Sequence, residues 1–253
     1  MHSRGDEMRR KYLYRVRLAI LPVWMGRYIE IVGEKSSESI ADTLINGIFG
    51  RVTGDAGSRF VIAIGQAIFL VLFLILYGDC IAARQRIGAV YFFSRISNRK
   101  KWILKEFVWL LFYSVLYTFC FVGMHMIFSI WGSSEADLSG TLFKVAFQIG
   151  LFLTLLLFEM AVLCNLFCAA GGSAIGILLS MLCVIGLIMW STAEVDGVVS
   201  EMINPMWLSA DIIENGGSYI QKIIIVFLQT AICAVGTGYY LAKRDLFARE
   251  GEG

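Results

Sequence analysis

Glu159 is the side chain whose position most demands a chemical reason. It sits in an apolar run, between Leu155-Leu156-Leu157-Phe158 and Met160-Ala161-Val162-Leu163. An ionised carboxylate at the centre of a membrane helix costs roughly 2.5–3.5 kcal/mol on insertion scales. Such a residue either serves a substrate path or gate, or ties one helix to another; both roles require it to face a bundle interior. Gln66, Gln148, Asn165 and Gln229 are its candidate partners, and each alone reads as interhelical glue. His125, between Met124 and Met126, has the chemistry of a soft-metal ligand or proton relay, against the plainer role of a hydrogen-bonded bundle histidine. Cys164 and Cys168 stand at i and i+4 and would hold a soft metal only with a third ligand, which is not evident. With Cys80, Cys120, Cys183 and Cys233 they lie in apolar stretches, as small buried hydrophobes rather than disulfide partners. Ser173, in Gly171-Gly172-Ser173-Ala174-Ile175-Gly176, invites a nucleophile reading with His125. The two fall toward opposite ends of their segments, so the glycines are expected to allow a tight turn and close helix contact instead.

These residues must be carried by helices. Of the 253 residues, 58% are hydrophobic and 17% charged, against about 45–50% and about 25% in a soluble domain. The excess is gathered into runs of the length needed to cross lipid, which takes about 20 residues. Five spans are plain, at about Phe60–Ala83, Trp102–Trp131, Leu142–Cys168, Ser173–Thr192 and Tyr219–Ala242. A sixth, about Tyr14–Val32, is interrupted by Arg15, Arg17, Arg27 and Glu30. The expectation is an all-α integral membrane protein: one six-helix bundle occupying residues 1–253. No cleavable signal peptide is expected, because the run Leu18–Met25 lacks a small-residue cleavage site. A net charge of +2 gives no reason to expect a nucleic-acid partner.

Charge placement sets the expected orientation. Arg84–Lys105 carries Arg84, Arg86, Arg95, Arg99, Lys100, Lys101 and Lys105. Ala193–Ser218 carries Glu194, Asp196, Glu201, Asp211 and Glu214, with no base. Basic loops stay cytoplasmic, so these segments belong on opposite sides of a cell membrane. The N-terminus is also basic, and it shares the inner side only if Tyr14–Val32 crosses. Both termini are then cytoplasmic. Two outer segments, about 39–52 and 205–214, have helical apolar spacing and are expected to lie along the interface.

The segment Arg84–Lys101 is the most informative. On a helical projection Arg84, Gly88, Arg95 and Arg99 share one face, while Ala89, Val90, Phe93 and Ile96 take the other, with Arg86 the exception. A short basic amphipathic helix between spans serves either as an anchor to anionic lipid or as a docking element for a cytoplasmic partner.

Around this segment the chain resembles the membrane subunits of ATP-binding-cassette (ABC) transporters of the type-2 exporter permease family. The residues that carry the resemblance are Asp79 near the end of span two, Gly88, Tyr91-Phe92-Phe93, Arg95, and Trp102 with Lys105 opening span three. Asn204-Pro205 before the last span and Lys243-Arg244-Asp245-Leu246-Phe247 after it add to the pattern. The resemblance implies a coupling helix at about 84–97, with Arg84, Gly88, Tyr91, Phe92, Phe93, Arg95 and Arg99 as ATPase-coupling residues. It also implies a second permease chain, as a homodimer or with a paralogue. No G-x-x-x-x-G-K-[ST] occurs, so this chain is expected to hold no cofactor and to catalyse nothing. ATP and Mg would belong to a separate cytoplasmic ABC ATPase. The substrate expected for so apolar a bundle is an amphipathic peptide, lipid or drug. Two other classes stay open: a proton- or ion-coupled secondary transporter using Glu159, and a membrane scaffold or immunity protein that sequesters a peptide.

Overall fold

The structure, a computed structural model, describes residues 56–88, 99–132, 140–192, 203–205, 212–213 and 215–243. The described elements are all helical: α1 (Ala56–Tyr77), α2 (Cys80–Gly88), α3 (Arg99–Gly132), α4 (Gly140–Gly171), α5 (Ser173–Thr192) and α6 (Gly216–Lys243). Five stretches are long and apolar enough to cross a membrane: Ala67–Gln85, Arg99–Ile127, Leu142–Gly171, Ser173–Trp190 and Gly216–Lys243. They match the five plain spans read from the sequence. The interrupted segment at 14–32, the interfacial segment at 39–52 and most of the basic loop, 89–98, lie outside the described residues.

The apolar surface agrees with a multi-pass membrane protein. Ile220, Ile224, Phe227, Ile232 and Val235 on α6 are exposed, as are Leu104, Val108, Phe112, Val115 and Phe119 on α3. Apolar faces this extensive are not left bare on soluble monomers, whereas lipid solvates them at no cost. Within each span the backbone satisfies its own hydrogen bonds, as hydrocarbon demands. At about 1.5 Å per residue, α3 extends roughly 50 Å, well beyond a hydrocarbon core of about 30 Å. Its basic first turn, Arg99 to Lys101, therefore stands clear of the apolar layer.

Helix α4 is the hub. It packs against α1, α2, α3, α5 and α6, and Ile149, Phe152, Leu156, Leu157, Ala161 and Cys164 are almost wholly buried along it. Helix α6 instead buries a single stripe, Tyr219, Lys222, Val226, Thr230, Thr237 and Leu241, at the spacing expected for one helix face. Helices α1 and α3 meet through an aromatic ladder. Phe69, Phe73 and Tyr77 on α1 face Phe121, Tyr117 and Tyr113 on α3, with ring centroids 4.3 Å apart for Phe69–Phe121, 5.1 Å for Phe73–Tyr117 and 4.9 Å for Tyr77–Tyr113. The reversed order of the pairs makes the helices antiparallel. The Tyr117 hydroxyl donates to the Phe69 carbonyl at 3.2 Å, giving the buried phenol its partner.

Candidate functional site

The polar groups of the bundle gather in three places. The first is the break between α1 and α2. Gly78 and Asp79 interrupt the helix, yet the backbone ladder continues around them, with Gly78 N–H donating to Leu74 O and Ala83 N–H to Asp79 O, both at 2.7 Å. The first N–H groups of a helix have no partner within it. Here Asn165 on α4 supplies one: its Oδ1 accepts from Ile81 N at 2.9 Å and Ala82 N at 3.2 Å. Its Nδ2 donates to Ala161 O at 2.8 Å, which fixes the amide's orientation. The Ser173 hydroxyl, at the start of α5, donates to Asp79 Oδ2 at 3.0 Å.

Small residues make this meeting possible. Helices α4 and α5 are joined by Gly172 alone, at φ 94°, a left-handed conformation that glycine adopts without a steric penalty. A side chain at Gly176 would run into the Cys168 backbone, and a methyl at Gly78 would stand 2.6 Å from Cys164 Sγ. Of the two glycines expected to form a helix-contact pair, Gly176 stands at the close approach, while Gly172 serves the turn and has no neighbour within 4 Å of a Cβ position. Cys164 and Cys168 lie 3.9 Å apart at the sulfurs. Among the described residues no three His, Cys, Asp or Glu side chains are grouped to hold a metal. None of the six cysteines forms a disulfide; Cys164 and Cys168 are buried, Cys80, Cys120 and Cys233 half-buried, and Cys183 exposed on α5.

Beyond the break, α2 is tied to a third helix. Arg84 forms an ion pair with Glu106 of α3, whose side chain is buried. Glu106 was not singled out in the sequence; an acid one turn inside an apolar span, after the basic run 99–105, was the available signal. Arg84 and Gly88 belong to α2, which begins at Cys80; residues 89–97 of the expected coupling helix lie outside the described residues. Arg99 opens α3, while Tyr91, Phe92, Phe93 and Arg95 lie outside the described residues.

The second place is Glu159. It is buried, as expected, but its partners are on α6: the Thr230 hydroxyl donates to Oε2 at 3.2 Å, and the Cys233 thiol approaches Oε1 at 3.9 Å. None of the described amides expected to serve it does so. Asn165 is engaged with α2, Gln229 donates to Ile203 O at 2.9 Å, and the Gln148 backbone carbonyl accepts from the Tyr219 hydroxyl at 2.8 Å. The Gln66 side chain lies outside the described part of α1. His125 is buried in α3.

The third place is the segment at residues 203–205, beside α6 and α5. Lys222 is fully buried, and its ammonium donates to the Asn204 carbonyl. The Asn204 amide donates to Leu187 O at 3.3 Å. The Asn204-Pro205 step is therefore buried and links α6 to α5; most of the expected interfacial segment, 206–211 and 214, lies outside the described residues. Lys222 was missed by sequence reasoning, although a lysine inside the run Tyr219–Ala242 was a visible signal.

This arrangement binds helices to one another through hydrogen bonds and one ion pair. Fold and polar sites together define a multi-helix, membrane-like protein. No protein-family model, no curated protein and no solved structure matches the chain.

Proposed function

We propose that this chain is the transmembrane subunit of an ABC exporter of the type-2 class, moving an amphipathic or hydrophobic substrate such as a peptide, lipid or drug. In this reading a cytoplasmic ABC ATPase binds ATP and Mg, a second permease chain completes the pathway, and both termini lie in the cytoplasm. The chain itself catalyses no reaction.

The observation that carries the reading is the anchoring of α2. A membrane span driven by a separate ATPase needs a cytoplasmic element rigidly joined to the bundle, because a floppy connection would absorb the partner's motion. Helix α2 leads straight into the basic, aromatic segment 89–98; it is tied to the hub by Asn165 and to α3 by Glu106, and Asp79 just before it is tied to α5 by Ser173. A lipid anchor would need no such bracing, since headgroup attraction is mainly electrostatic. The motifs around Asp79, Gly88, Tyr91-Phe92-Phe93 and Trp102 supply the family-level support.

Gentle solubilisation of native membranes, followed by affinity capture of the chain, tests the proposal. The expected result is recovery of an ATP-hydrolysing subunit together with a second permease chain. Recovery of the chain with neither would overturn it.

A further inference from the structure

A glycine–aspartate break in a membrane helix is the ordinary place to look for a hinge. The geometry points to the opposite here: the Gly78–Asp79 break is a clamp, and α2, the Asn165 end of α4 and the Ser173 end of α5 move as one rigid body. Asn165 and Ser173 are the positioning residues of that body.

Four observations carry this. The backbone N–H groups of Ile81 and Ala82, which a hinge would leave to rearrange, are both held by one side chain from another helix. Asp79 is held separately, by a hydroxyl on α5. Ile81, Ala82 and Gln85 are nearly or fully buried, so rotation at the break would drag packed side chains past α4. Finally, Gly78 and Gly176 bring backbone so close to Cys164 and Cys168 that not even a methyl group fits. Packed interiors of this density switch between discrete arrangements and do not deform smoothly. Motion delivered to α2 is therefore passed whole to the hub helix, and flexing occurs elsewhere, where α4 meets α6. That transmission rests on the exporter reading; the clamp does not.

The test uses spin-labelled noncanonical residues, which spare the native cysteines, placed at Arg86 with Ala174 and at Arg86 with Tyr240 in the full chain in nanodiscs. In the chain alone, the 86–174 distance distribution is expected to be narrow and to broaden in Asn165→Leu. A broad distribution in the unsubstituted chain, or none of this broadening, would overturn the clamp. With the captured ATPase, trapping the ATP-bound state is expected to shift 86–240 and leave 86–174 unchanged. A shift in 86–174, or in neither distance, would overturn the clamp as the transmitting element. Asn165→Leu should retain ATP hydrolysis while substrate moved per ATP falls several-fold. Ser173→Thr, which keeps the hydroxyl, should retain coupling where Ser173→Ala loses part of it. Failure to capture an ATPase counts against the exporter reading and leaves the chain-alone arm to judge the clamp.

Discussion

Asn165 Oδ1 lies 2.9 Å from the backbone nitrogen of Ile81, a residue 84 positions earlier in the chain. One amide thereby caps a helix from a distant part of the chain. Replacing Asn165 with Leu strands two buried N–H groups and fills the space with a side chain that accepts nothing. A buried unsatisfied group costs about 1–3 kcal/mol. Thermal unfolding in detergent should show Asn165→Leu clearly destabilised and Asn165→Asp, which keeps the acceptor, less so. Equal stability of Asn165→Leu and the native chain would mean that the cap is not used.

The glycines make a sharper steric prediction. Gly176→Ala drives a methyl into the Cys168 backbone, and Gly78→Ala drives one against Cys164, whereas Gly123 and Gly186 have open space around the same position. Overpacking a tight contact typically costs about 1–3 kcal/mol. Folded yield in membranes should therefore drop for Gly78→Ala and Gly176→Ala and hold for Gly123→Ala and Gly186→Ala. Similar yields for all four would contradict the packing described.

Much of this was legible in the sequence, and the remainder was hidden for identifiable reasons. Span positions follow from the length of apolar runs, so Ser173–Thr192 and Leu142–Cys168 coincide with α5 and the core of α4. Burial of Glu159 follows from its desolvation cost. Its partners did not follow: Thr230 and Cys233 are small, weakly polar side chains that carry no signal of their own, while Asn165 and Gln229, which looked suitable, are engaged elsewhere. The Asn165–Ile81 contact depends on how two distant helices pack, which no local periodicity records. Lys222 and Glu106 were visible as charges in apolar surroundings, but their partners, a backbone carbonyl and an arginine beyond the break, are set by tertiary structure.

For Glu159, a double-mutant cycle with Thr230 measures the bond directly. Glu159→Gln, Thr230→Val and the double variant should give a coupling of about 0.5–1.7 kcal/mol, the range of membrane interhelical hydrogen bonds. Folding should survive Glu159→Gln. A coupling of zero would show that the carboxyl does not use Thr230.

The proposed orientation places Arg84–Lys105 in the cytoplasm and Ala193–Ser218 outside. Single cysteines at Ser97 and Ser200, in a background with reactive native thiols removed, should label from opposite sides of intact cells. Labelling of both from the outside would sink the six-span arrangement.

The most direct measurement of the central proposal compares two variants of the basic segment. One replaces Tyr91, Phe92 and Phe93 with Ala, and the other replaces Arg95 and Arg99 with Gln; each is scored for recovery of the captured ATPase and for its stimulated hydrolysis. Aromatic side chains bury large areas at partner interfaces and dominate binding there, while headgroup attraction depends mainly on charge. Docking predicts that the aromatic variant loses ATPase recovery and coupling. Full ATPase binding and coupling in the aromatic variant would contradict the account.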